Sequence, residues 1–228
     1  METTMNENKG QAKEKVVLAY SGGLDTSVCL KWLQVEKGFD VIAVCGNVGQ
    51  DESDLAAIKQ KALDMGAIAS FAVDMREEYA SEFLTLALAA NGLYENSYPL
   101  LSALSRPLLS KHMVEVAHAL GAHYIAHGCT GKGNDQVRFE LAIKAFAPDL
   151  GIIAPWREWD IKSREEEIEY AEAHHVPLKI NRETNYSKDK NLWHLSHEGL
   201  DLEDPANEPD YAKPGFLELG VAPEQAPD

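Results

Sequence analysis

Three hydroxyls and two glycines crowd together near the start of the chain, in the run Ala19-Tyr20-Ser21-Gly22-Gly23-Leu24-Asp25-Thr26-Ser27. Gly22 and Gly23 permit a sharp turn that side-chain-bearing residues resist. The hydroxyls of Ser21, Thr26 and Ser27 can donate to the oxygens of an anion. Before the turn, Val16 to Tyr20 is an apolar run of strand length. After it, Leu24, Val28, Trp32 and Val35 recur at helical spacing, with Cys29 and Leu33 beside them, until Gly38. A strand, a glycine turn and a helix bring unpaired N–H groups and the positive end of a helix dipole to one spot. Phosphate is the usual occupant of such a spot. No Lys follows the glycines, so this is not a Walker A loop, and no G-x-G-x-x-G is present. Taken alone, the pattern also fits an ordinary βα turn.

A second set of reactive side chains lies between His127 and Glu140. Gly128 to Gly133, GCTGKG, is another glycine-rich loop. Asn134 to Phe146 reads as a helix, with Val137, Leu141 and Ala145 on one face. Asn134 and Arg138 are four residues apart and share a face. Asp135 falls in the first turn, where a carboxylate suits the dipole. The pair His174-His175, and His194 and His197, lack the further ligands a metal site needs, so they read as helix-end or packing residues.

The elements that must position these loops repeat one format of helix, glycine and strand. Asp40 to Cys45 follows Gly38. A helix from Ser53 to Met65 stops at Gly66, and Ile68 to Val73 follows. A helix from Pro107 to Leu120 stops at Gly121, and His123 to His127 follows. Gly151 to Ala154 is a further strand, and Ser163 to His174 a helix whose Ser163 and Glu166 form a capping box. Apolar strands alternating with amphipathic helices predict an α/β fold: an open, mostly parallel, twisted sheet with helices on both faces. Tyr79 to Ala90 reads as a helix. Tyr94 to Arg106 reads as a loop at the sheet edge, where ligands collect. Residues 1–15 are expected to be a flexible tail, 16–182 the nucleotide-binding domain, and 183–228 a substrate-contacting segment running into an irregular acidic, Pro-rich tail.

The 228 residues are 45% hydrophobic and 25% charged, an ordinary globular balance. The net charge of −16 disfavours nucleic acid and acidic membranes as partners. No apolar run approaches membrane-spanning length, and METTMNENKGQAKEK lacks the apolar core of a signal peptide. Cys29, Cys45 and Cys129 show no paired spacing. Together these features predict reduced thiols and a cytoplasmic location.

AYSGGLDTS (Ala19 to Ser27) resembles the loop of the N-type ATP pyrophosphatases. That loop together with HGCTGKGNDQVRFE (His127 to Glu140) and IIAPWREW (Ile152 to Trp159) resembles argininosuccinate synthase, from about Val16 to at least Ser196. The resemblance implies an AMP-forming C–N ligase of arginine biosynthesis: ATP, L-citrulline and L-aspartate give AMP, diphosphate and argininosuccinate through a citrulline-adenylate. It implies ATP contacts at Ala19, Tyr20, Ser21, Gly22, Gly23, Leu24, Asp25, Thr26, Ser27, Gly46 and Gly128, with Mg²⁺ sharing the phosphate charge. Gly46, having no side chain, is expected to let the adenosine approach closely. It implies aspartate contacts at Thr130, Asn134 and Asp135, the last pairing with the substrate ammonium. It implies citrulline contacts at Tyr98, Ser102, Asn134, Arg138, Ser187 and Ser196. Asp25 is the one candidate for a direct catalytic part, and no residue is assigned as a metal ligand.

Two departures from the family pattern stand out. Where much of the family has adjacent Thr-Ser, this chain has Ser102-Ala103, so Ser102 is the replacement for the missing hydroxyl. Family members also continue into a synthetase domain and a tail that assembles a homotetramer. That leaves a second reading, an ATP-binding fragment or split subunit inactive without a C-terminal partner. A third, a tRNA thiolase with a pyrophosphatase loop, conflicts with the acidity, the unpaired cysteines and the GNDQVRFE block.

Overall fold

The computed structural model describes residues 13–50, 52–100, 102–131, 133–177 and 187–211. Most of the N-terminal tail and the acidic Pro-rich segment after residue 211 lie outside the described residues. The parallel sheet is built from β1 (Lys15–Ala19), β2 (Asp40–Asn47), β3 (Ala69–Asp74), β6 (Tyr124–Ala126) and β7 (Gly151–Ile153) in the order β3-β2-β1-β6-β7. Every pairing in it is parallel, with Val16 opposite Val41 on one side and Tyr124 on the other. The predicted α/β class with a mostly parallel sheet is therefore present.

Period-two alternation along β1 divides the core. Val16 and Leu18 enter one apolar layer and Val17 and Ala19 the opposite one. The first layer is closed by helix α1 (Leu24–Val35), α2 (Glu52–Asp64) and α8 (Arg164–Ala173), through Val28, Leu33, Ala62 and Ala171. The short helix α7 (Pro155–Glu158) seals its margin. There Trp159 packs edge-on against Trp156 and Trp32, at 5.0 and 6.0 Å between ring centroids. The second layer is closed by α5 (Ser105–Leu120) and α6 (Asp135–Phe146), through Met113, Ala117, Phe139 and Ile143. Gly121 ends α5 in the left-handed conformation (φ 64°), the helix stop that the sequence predicts.

Four expectations are corrected or refined. The predicted apolar face of α6 is the wrong one: Val137 is 49% and Leu141 67% exposed, while Phe139 and Ile143 are buried. The stretch 94–106 is not a plain loop. It contains a hairpin, β4 (Leu93–Tyr94) with β5 (Tyr98–Pro99), and α5 begins at Ser105, so Pro107 sits in the first turn, where its missing N–H costs nothing. The region after 183 holds a second hairpin, β8 (Ser187–Lys190) with β9 (Leu195–Glu198), and a 3₁₀ turn at Leu200–Glu203. The predicted helix at 79–90 starts earlier, as α3 (Arg76–Glu78), then widens to a π-helical turn at Tyr79–Leu84 and resumes as α4 (Thr85–Ala89).

The α6 correction makes a direct prediction. Ile143→Ala should lower stability by about 2–5 kcal/mol by opening a cavity, whereas Leu141→Lys should stay within about 0.5 kcal/mol of the parent. Urea unfolding of the two variants checks this, and a larger loss at Leu141 would restore the discarded face.

Candidate functional site

Strand β1 is the point from which the chain winds both ways: β2 lies on one side and β6 on the other. The loops that leave the carboxyl ends of β1 and β6 therefore face each other across a crevice, the place where open α/β sheets collect ligands. The first loop is Ser21-Gly22-Gly23. Gly22 takes φ 79°, and a Cβ there would lie 2.9 Å from the Ile58 side chain, so two independent constraints require glycine. Gly23 is the N-cap of α1 and offers no side-chain cap. The first intrahelical bond is Ser27 N–H to the Gly23 carbonyl at 3.1 Å. The N–H groups of Leu24, Asp25 and Thr26 thus belong to the turn that has no intrahelical acceptor. Lys61 donates to the Gly22 carbonyl at 2.8 Å and adds positive charge beside the turn.

The hydroxyls divide into two kinds. Ser21 Oγ and Thr26 Oγ1 lie 3.1 Å apart in the loop, and the Ser21 N–H donates to Thr26 Oγ1 at 3.3 Å. The Ser27 hydroxyl, expected to donate to an anion, is turned inward. It is fully buried, 3.3 Å from the Tyr20 hydroxyl, and donates to the Gly22 carbonyl at 3.5 Å. Tyr20, also buried, has its phenol pushed up by desolvation. These two side chains brace the loop from below. At Gly46 the space a side chain would take is filled by the Met75 methyl, so the missing side chain also makes room for the core. The Gly46 carbonyl accepts from Gln50 Nε2 at 3.0 Å.

Gly128 brings the second loop against the first. A Cβ on it would lie 3.3 Å from Thr26 Cγ2 and 3.4 Å from Cys29 Sγ. The neighbouring His127 is fully buried and stacks on Phe139. Burial holds its imidazole below the ordinary value against the Glu140 carboxylate. Its Nδ1 accepts from the Cys129 N–H at 3.3 Å, so Nε2 carries the proton and donates to Glu140 Oε1 at 3.1 Å. Arg157 donates to the same oxygen at 2.5 Å. Gln136 clamps the loop by donating to the carbonyls of Gly131 and Gly133, at 3.2 and 3.3 Å. Cys129 has its thiol pushed up to about 12, chiefly by burial, which leaves it unreactive at neutral pH.

Arg106 is the residue that sequence reasoning missed. It donates to Asp135 Oδ2 at 2.8 Å and to Asp189 Oδ2 at 2.9 Å. Arg138 donates to the other Asp135 oxygen at 2.6 Å. Asp189 stands opposite Ser196 in the β8–β9 hairpin. One guanidinium thus joins the start of α5, the start of α6 and β8, the strand paired with the one that bears Ser196. A signal was available: a cation in the first turn of a helix opposes the dipole and needs partners. Burial works to raise the Asp135 carboxyl, but Arg106 and Arg138 outweigh it and hold it below its ordinary value. Arg138 is half-buried within this cluster, Thr130 is half-buried in the loop after β6, and Asn134 is exposed as the N-cap of α6. Ser102 belongs to the approach to α5, its carbonyl accepting from Ser105 Oγ at 3.1 Å. Tyr98 is half-exposed in the small hairpin. Ser187 begins β8, opposite Glu198.

The model of the family described as "Arginosuccinate synthase N-terminal HUP domain" matches residues 15–177, the stretch that contains both loops and the Arg106–Asp135–Arg138 cluster. The chain belongs to this family. An argininosuccinate synthase of Clostridium botulinum (strain Eklund 17B / Type B) is 58% identical over 214 residues, 94% of this chain and 52% of the relative. One from Acetivibrio thermocellus is 56% identical over 216 residues, 95% of this chain and 53% of the relative. The chain spans about half the length of the curated relatives it matches. Among the described residues no helix is long and apolar enough to cross a membrane.

Two outcomes are expected. Arg106→Met should release the β8–β9 hairpin, so amide hydrogen exchange there should accelerate while the β1 and β2 amides stay protected. Asp135, held down in the folded state, contributes stability that is present above about pH 4 and lost as pH falls through its folded value. Asp135→Asn should therefore flatten the acid limb of stability against pH relative to the parent, measured by urea midpoints at several pH values.

Proposed function

We propose that the two facing loops bind ATP and that the chain supplies the nucleotide half of an argininosuccinate synthase site. The observation that carries this is the juxtaposition of the Ser21–Thr26 turn and Gly128 at the carboxyl ends of adjacent strands, within a member of that family. The turn and Gly128 take the phosphates, and Lys61 offsets part of their charge. Gly46 and the end of β2 lie on the adenosine side. Among the described residues no cluster of three or more His, Cys, Asp or Glu could hold a metal ion by itself. Mg²⁺ therefore fits as a partner of the phosphates, which is its usual mode of binding.

Citrulline is placed along Arg138, Asn134, Ser196, Ser187, Tyr98 and Ser102, with the Arg138 guanidinium taking its carboxylate. Aspartate is placed at Thr130, Asn134 and Asp135. Both Asp135 oxygens already accept from arginines, so an incoming ammonium would share them with guanidiniums fixed in place. The citrulline ureido oxygen attacks the α-phosphorus and pyrophosphate leaves. The aspartate amine then attacks the adenylated carbon and AMP leaves. Positioning and charge stabilisation supply the rate. A homotetramer and a cytoplasmic setting complete the reading. The alternative is ATP binding without turnover unless a C-terminal partner is present.

Citrulline-dependent pyrophosphate release from ATP tests the proposal. Release that requires citrulline supports the synthase reading for this chain alone. Saturable ATP binding without release supports the alternative, and neither would defeat both. Arg138→Ala should weaken citrulline binding by about 2 kcal/mol or more, with ATP affinity changed little. Equal losses would mean that Arg138 is misassigned.

A further inference from the structure

Beneath the first loop Asp25 meets a second acid, Glu167, to which the proposed reaction gives no part. Glu167, on the first turn of α8, is 1% exposed. Its carboxyl lies within hydrogen-bonding reach of Asp25, in the first turn of α1, directly after the glycine turn. Two carboxylates have only acceptors, so a hydrogen bond between them requires a proton on one. Each acid sits near a helix N-terminus, so dipoles do not decide which. Water does: Asp25 is half-buried at the crevice, whereas Glu167 is sealed between α1 and α8, with its Oε1 lacking any hydrogen-bond partner among the described residues. An unpartnered oxygen in a dry site is tolerable for a neutral acid and costly for an anion.

We propose that Glu167 is a positioning residue, held protonated so that it donates to Asp25 and fixes that carboxylate and the phosphate-facing turn of α1 in place. The proposal rests on the nucleotide reading for its consequence, but the proton itself does not depend on ATP. Burial first, and then the Asp25 charge, push Glu167 up to about 9 against the opposing pull of Arg164. The other titratable groups facing the pair are thiols. Cys29 lies one turn along α1, fully buried and itself raised by burial and by both carboxyls. Cys129, across from it, is raised by burial first and in smaller part by Asp25. Ionising Glu167 would set a second negative charge beside Asp25, at the base of a site for a polyanion.

The sign of the pH effect follows. A carboxyl raised in the folded state binds its proton more tightly there, so its contribution to stability is fully present below about pH 4.5 and is lost as pH rises toward about 9. Glutamine keeps the donor and the volume but cannot ionise. As the pair's proton is lost on the alkaline side, ATP affinity of the parent chain should fall severalfold between about pH 7.5 and 9.5, in proportion to the protonated fraction. Glu167→Gln should match the parent within about twofold at the lower pH and show no such fall. Glu167→Ala should weaken ATP at both.

The experiment is calorimetric titration of ATP into the parent and both variants at the two pH values. It is paired with infrared difference spectra at neutral pH and urea unfolding against pH. An infrared band from a protonated carboxyl in the parent, absent in Glu167→Gln, is expected, as is a flatter stability slope in that variant. No such band, or a Glu167→Gln variant whose stability falls with pH as the parent's does, would overturn the proton assignment. If the parent binds no ATP but the band and slope behave as stated, the acid pair stands and the nucleotide reading fails. If ATP binds and its affinity is insensitive to pH in the parent, the positioning role fails.

Discussion

The parallel pairing of β1 with both β2 and β6 is the constraint on which the rest depends. A central strand flanked in this way sends one connection over each face, and the loops at its carboxyl end and at that of its neighbour must meet. That is why Gly128, about a hundred residues from Thr26 in sequence, comes within a side chain's width of it. The same strand carries the core. Val16 and Leu18 serve one layer, Val17 and Ala19 the other, so a slip of register would disturb the packing of both faces as well as the loop. Site and core are specified together.

Around that crossing the polar side chains hold the loops more than they line them. Ser27 and Tyr20 brace the first turn from inside, and Glu167 reaches Asp25 from α8. The block GNDQVRFE can be explained almost residue by residue. Asp135 and Arg138 enter the ion-pair cluster, Gln136 ties the glycine loop, Phe139 stacks under His127, and Glu140 accepts hydrogen bonds from His127 and Arg157. Such networks are valuable because their members are satisfied by one another in a partly dry setting. They also fix the orientation of side chains that must already be in place when a substrate arrives.

The elements and their order were legible because the signals are local: apolar runs of strand length, helical spacing, and glycine where a helix must stop. The two loops were legible because their glycines and hydroxyls are contiguous. What escaped was long-range. Helix α6 carries apolar residues on two sides, and only the position of the sheet selects Phe139 and Ile143 over Val137 and Leu141. The hairpin at 93–99 has two-residue strands, too short for any period. Arg106 meets Asp189 across 83 residues, and nothing local marks that pairing. Glu165, Glu166 and Glu167 look alike in sequence, yet only the last is buried, because only its position faces α1. The inward turn of the Ser27 hydroxyl and the Met75 methyl against Gly46 are likewise set by distant parts of the chain, not by the local pattern.

The central claim is that the turn after β1 and the loop after β6 act as one nucleotide site. Amide hydrogen exchange with and without saturating ATP tests it most directly. The account predicts that Ser21 to Ser27 and Gly128 to Thr130 gain protection together, over the same range of ATP concentration. Protection confined to one loop, or appearing elsewhere while both stay unchanged, would contradict it.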